Sequence, residues 1–116
     1  MSDRAMIDQA AKAAGYTVAE GPWCNPSYFD GGKLVAEIGK WNPLTDDAHA
    51  FRLAVKLGLK DMLILNVGHT GASIEFDNSP ACAFEKHAPD PYAATRRAIT
   101  RAAAAFPLPT PEGAQT

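Results

Sequence analysis

Cysteine is scarce in this chain: of 116 residues only Cys24 and Cys82 carry a thiol, and they stand far apart. That scarcity argues against a disulfide framework and against a paired-cysteine zinc site. An excess of positive charge is also missing, because 11 Lys and Arg face 13 Asp and Glu, giving a formal net charge of -2 and a pI of about 5.8. Duplex nucleic acid is bound through a dense surplus of cations that displace counterions, so it is not an expected partner. No stretch approaches the roughly 20 apolar residues that span a bilayer, and no basic-then-apolar leader opens the chain. These absences lead to the expectation of a cytoplasmic protein with no membrane partner.

What is present suits a globular domain. Apolar residues make up 47% and charged residues 21%, and the length allows one core to be buried without metal or disulfide. Residues 1–106 read as a single domain. Residues 107–116, rich in Pro, Gly and small polar side chains, read as a flexible tail.

Local chemistry then divides the chain. Ser2 and Asp3 cap a helix over 3–14, whose Met6, Ile7, Ala10, Ala11 and Ala14 fall at helical spacing before Gly15 stops it. Residues 21–32 are crowded with turn formers and read as an aromatic loop. Alternation over Leu34–Ile38 predicts a strand. Thr45 is placed as the N-cap of a second helix over 46–57, with Asp46 and Asp47 at its positive end and Gly58 as a left-handed C-terminal cap. Phe51, Ala54, Val55 and Gly58 form its expected packing face.

Met62–Leu65, apolar on both faces, reads as an interior strand that returns through Gly68-His69-Thr70-Gly71 to a second strand at 74–77. A fourth strand follows over Cys82–His87, ended by Pro89. Asp90-Pro91 opens the last helix, with proline in the first turn where its missing N–H costs nothing. Tyr92, Thr95, Ala98, Ile99, Ala102 and Phe106 form its expected packing stripe and Pro107 stops it. The sum is an α+β fold: one short, mainly antiparallel sheet of about four strands packed with three helices.

One segment combines an aromatic, a turn and a capped helix: Trp41-Asn42-Pro43-Leu44-Thr45-Asp46-Asp47, leading into Arg52-Leu53-Ala54-Val55-Lys56-Leu57-Gly58. With Ala14-Gly15-Tyr16, Gly21-Pro22-Trp23 and the helix carrying Ala94-Thr95-Arg96-Arg97-Ala98-Ile99, it resembles the small phage and prophage proteins of the "phage ABA sandwich domain" type, over most of the chain to about Phe106. The resemblance implies a layered α/β fold and an accessory phage gene product in the bacterial host. It implies no established activity and no catalytic residues.

The candidate binding residues follow from side-chain chemistry. Trp23, Tyr28, Phe29 and Trp41 lie within residues 21–41, and aromatic faces can stack on a base; the same rings can equally form core or an interface between chains. Arg96, Arg97 and Arg101 can grip phosphate with bidentate guanidinium forks, or sit on a solvated, ion-paired helix face. Trp41 and Asn42 precede a helix N-terminus suited to anions, although Asp46 and Asp47 already meet that positive end. The ligand-binding set is therefore Trp23, Tyr28, Trp41, Asn42, Arg96, Arg97 and Arg101. No cofactor, no metal site and no catalytic residue is assigned. His49, His69, His87 and the two cysteines lack paired ligand spacing, and a base in the loop at His69 is outweighed by an ordinary surface histidine.

Three functions fit this reading: capture of a small anionic, nucleotide-derived host-defence signal by a non-catalytic protein; a protein-interaction module that inhibits a host enzyme or serves a structural phage role; and, last, a small enzyme. An exposed aromatic loop adds an expectation of homo-oligomers.

Overall fold

The Ser2 hydroxyl accepts from the Ala5 amide at 3.1 Å and starts α1 (Asp3–Ala13), and Gly15, at φ 87°, ends it as the sequence leads one to expect. These are features of a computed structural model that describes residues 2–78, 82–86 and 90–106. The expected tail at 107–116, the Pro107 stop, His87 and the Pro89 strand stop lie outside the described residues.

After α1 the chain forms an antiparallel meander of β1 (Thr17–Glu20), β2 (Pro26–Asp30) and β3 (Lys33–Glu37). The segment read as an aromatic loop is thus largely strand and hairpin. Its density of Gly, Pro and Asn hides β2, because most of those residues belong to the two turns that flank the strand. Gly31 and Gly32, at φ 59° and 90°, make the two-residue turn into β3, a conformation that matches the twist of a hairpin. Tyr28 pairs with Ala36 and Phe29 with Leu34, so Val35 bulges between them.

Helix α2 spans Asp47–Gly58. Its N-cap is Asp46 rather than Thr45: the Asp46 backbone is extended and its carboxylate accepts from the His49 amide at 3.0 Å. Gly58 lies inside the last turn, and the cap is Leu59 in a right-handed conformation. The expected packing face is also corrected. Ala50, Leu53 and Leu57 are buried, whereas Phe51 is 69% exposed and Val55 is exposed as well. Both stripes satisfy helical periodicity, and contact with α3 selects the one that is sequestered.

The second sheet is again an antiparallel meander, with β5 (Gly71–Phe76) between β4 (Leu63–Val67) and β6 (Cys82–Lys86). Ala72, Ile74 and Phe76 of β5 are buried. The Met62–Leu65 segment, expected in the interior, instead feeds an edge strand on which Ile64, Leu65 and Val67 are exposed.

Helix α3 (Pro91–Ala105) starts at Asp90, whose carboxylate accepts from the Tyr92 amide at 3.0 Å, and packs against α1, α2, β5 and β6. Its buried residues include Ala94, Ala98, Ile99, Ala102 and Ala103, while Tyr92, expected in the stripe, points to solvent. Small side chains on α3, and on α1 at Ala10, Ala11, Ala13 and Ala14, make up much of the buried core and keep the layers close. The architecture is α+β, with three helices and two three-stranded antiparallel sheets in place of the single sheet of about four strands. No described helix is long and apolar enough to cross a membrane.

Candidate functional site

Trp41 is 1% exposed. Its ring meets Tyr16 edge-on at 5.5 Å, Tyr28 edge-on at 5.6 Å and His49 in a stack at 6.3 Å, so no open ring face remains for a ligand. Asn42 shapes the turn. Its side-chain oxygen accepts from the Leu44 amide at 2.9 Å, its own amide donates to His49 Nδ1 at 3.0 Å, and its carbonyl accepts from Asp46 at 3.0 Å. The Trp-Asn-Pro motif is therefore a joint between β3 and α2.

Tyr28 is likewise buried. Its hydroxyl donates to Asp8 at 2.8 Å and accepts from Arg4 at 3.1 Å, which anchors the first sheet to α1. Burial, followed by the hydrogen bond to Asp8, pushes the Tyr28 phenol up to about 12. The Arg4 hydrogen bond holds the Asp8 carboxyl below its ordinary value.

The three arginines are occupied by partners within the chain. Arg96 donates to the Leu44 carbonyl at 2.8 Å and to Asp47 at 2.7 Å, clamping the joint onto α3. Arg97 lies 3.3 Å from Asp3 and 3.9 Å from Glu85, and Arg101 bonds Glu85 and the Phe84 carbonyl. A phosphate would have to displace these acids. Trp23, 65% exposed in the β1–β2 hairpin, has no ring contact with the other aromatics among the described residues. The structure thus joins Tyr28 and Trp41 inside the core with Asn42 half-buried beside them, links Arg96 to the turn through Leu44, and leaves Trp23, Arg97 and Arg101 without a common cavity.

A different groove assembles the same chemistry. Between β3 and α2 lies a cavity of about 360 Å³ lined by Tyr16, Asp30, Lys33, Arg52, Lys56 and Phe51, with Leu34, Val35 and Val55 supplying apolar wall. Lys56 bonds Asp30 at 3.0 Å, whereas the side chains of Arg52 and Lys33 make no hydrogen bond or ion pair among the described residues. Three cations against one acid leave this wall positive. Tyr16 reports the local field: burial raises its phenol, Asp30 raises it further and Arg52 opposes them. Burial lowers the neighbouring Lys60 ammonium, and Lys56 adds to the fall.

Sequence reasoning missed this groove. The available signal was the i,i+4 pair Arg52 and Lys56 on the wet face of α2, and what it lacked was Lys33, which the Gly31-Gly32 hairpin brings alongside. A second and larger groove, about 520 Å³ and mostly apolar, lies between α2, β4 and α3 and is lined by Phe51, Ala54, Leu65, Val67, Tyr92 and Ile99 among others. Phe51 forms part of both. Among the described residues no group of three His, Cys, Asp or Glu side chains is placed to hold a metal ion.

No family model, no curated protein and no solved structure matches this chain.

Proposed function

We propose that this protein is a non-catalytic binding protein that captures a small anionic, nucleotide-like ligand in the groove between β3 and α2. The observation that carries the reading is the pairing of two uncommitted cations, Arg52 and Lys33, with the exposed ring of Phe51 in one cavity. Arg52 offers a planar fork for phosphate, and Lys33 and Lys56 act as point charges. Phe51 offers an exposed ring face to a base, where stacking is worth roughly 1–3 kcal/mol. Asp30 is an acceptor for a sugar hydroxyl or a base amine. Taken with the phage resemblance, the biological role proposed is sequestration of a nucleotide-derived defence signal in the host cytoplasm.

Native mass spectrometry with a panel of linear and cyclic nucleotides tests this directly. A stoichiometric adduct, released unchanged on denaturation and lost in Arg52→Ala/Lys33→Ala with the fold intact, is the expected result. Unliganded spectra across the panel would overturn it. The second reading, a protein-interaction module acting on a host enzyme or a phage assembly, draws its support from the larger apolar groove at Phe51, Leu65, Val67 and Tyr92. A partner bound by the double variant as well as by the unaltered chain would favour that reading.

A further inference from the structure

Each three-stranded sheet has two edges, so among the described residues β1, β3, β4 and β6 all border open hydrogen-bonding positions. Exposed edges are ordinarily guarded by charge. Three of the four follow that rule: β1 carries Glu20, β3 carries Lys33 and Glu37, and β6 carries Glu85 and Lys86. The fourth, Leu63-Ile64-Leu65-Asn66-Val67, has no charged residue and exposes Ile64, Leu65 and Val67.

The hydrogen-bond phase of β4 defines what that edge offers. Gly68 donates to Gly71 and Asp77 donates to Met62, which close the two ends of the β4–β5 ladder. With Ile64 opposite Glu75 and Asn66 opposite Ser73, the even-numbered residues spend their backbone groups on β5. The N–H and C=O groups of Leu63, Leu65 and Val67 therefore point away from the sheet. No hydrogen bond among the described residues takes them up. Side chains of these same residues lie on the face shared with Phe76, Ile74 and Ala72, beside the apolar groove of α2 and α3.

We propose that β4 is a homodimer seam, in which two copies of this chain pair β4 with β4 antiparallel about Leu65. The strand is self-complementary in that register. Leu65 meets Leu65 and Leu63 meets Val67 as hydrogen-bonded pairs, Ile64 meets Asn66 on the other face, and no like charges are brought together. The two sheets join into one of six strands about a two-fold axis perpendicular to the sheet. That axis keeps the helices of both copies on one side, so their apolar grooves abut, and the Phe51, Leu65, Val67 and Tyr92 of each copy line one shared seam. An uncharged strand whose outward backbone groups fall on Leu63, Leu65 and Val67, symmetric about Leu65, pairs with its own copy without charge conflict, and a second copy is therefore its occupant.

Sedimentation equilibrium of the full chain, followed over a dilution series, tests the seam. The expected mass corresponds to two chains; Leu65→Lys reduces it to one with the circular dichroism spectrum retained, and Val18→Lys on the β1 edge leaves it at two. Hydrogen exchange on the unaltered chain gives a readout that does not depend on any variant folding: the Leu65 amide is protected at high concentration and loses that protection on dilution, while the Ile64 amide keeps its own. A single-chain mass with a freely exchanging Leu65 amide at every concentration would overturn the proposal and leave the edge to a strand donated by another protein. A dimer that survives Leu65→Lys, or that leaves Leu65 unprotected, would overturn it too. None of these measurements involves the anionic ligand, so failure of the dimer is distinguishable from failure of the ligand site, although Phe51 borders both.

Discussion

Trp41 and His49 stack across the joint between β3 and α2, with ring centroids 6.3 Å apart and planes 29° from parallel, while His49 Nδ1 accepts the Asn42 amide at 3.0 Å. One imidazole holds both the indole and the turn. The most conspicuous sequence motif is thus part of the framework, and it positions Phe51 and Arg52 on the outer face of α2.

Trp41→Ala should behave as a core truncation. Loss of about 3–5 kcal/mol is expected, because three ring partners lose their contacts and the cavity cannot fully collapse. Urea denaturation measures it, and a loss under about 1 kcal/mol would contradict the burial.

Tyr28 makes stability fall in alkali. Its folded phenol titrates near 12 against an ordinary 10.0, so between these values the unfolded chain ionises first and is favoured as pH rises. The contribution is complete below about pH 10 and is lost through about 12. Asp8 has the opposite sign. Its carboxyl is lowered by Arg4, so its contribution is present above the ordinary carboxylate range and fades as pH falls through and below it. Denaturation midpoints measured against pH should show the alkaline limb flattened in Tyr28→Phe and the acid limb flattened in Asp8→Asn.

Gly71 marks a close approach of β5 to β6. A Cβ there would sit 2.5 Å from the Glu85 carbonyl oxygen and 2.6 Å from Phe84 Cζ. Gly71→Ala should therefore cost on the order of 1–3 kcal/mol through forced displacement of backbone. An unchanged thermal midpoint would show that β6 yields freely.

The arginines of α3 should separate by burial. Arg96→Ala removes bonds to the Leu44 carbonyl and Asp47 from a side chain only 17% exposed, and about 1–3 kcal/mol is expected. Arg101→Ala breaks an exposed pair with Glu85 and should cost about 0–1 kcal/mol. Parallel chemical denaturation of the two variants checks the order, and the reverse order would mean that Arg96 is not a clamp.

Much of the fold was legible because caps and turns are local chemistry. Ser2, Gly15 and Asp90-Pro91 delimit helices through groups a few residues away, and the β4–β5 hairpin follows from two apolar runs flanking Gly68-His69-Thr70-Gly71. Strand β2 was hidden because turn formers on both sides dominate a window in which the strand is short. Thr45 and Asp46 are both good caps in adjacent positions, and only the hydrogen bond from His49 distinguishes them.

The candidate site was less legible, since ion pairing depends on distant residues. Arg96 meets Asp47 and Arg97 meets Asp3 across sequence separations of 49 and 94, which composition cannot foresee. The sequence by itself determined that this chain builds capped helices, short antiparallel strands and an α+β domain, because hydrogen-bond capping and hydrophobic period act over a few residues. Tertiary structure alone decided that Leu53 and Leu57 rather than Phe51 and Val55 are buried, that the Trp41 ring is core, and that Arg52 and Lys33 share a groove. Those outcomes depend on which surfaces meet, and α2 carries two stripes that satisfy the helical period equally until α3 covers one of them.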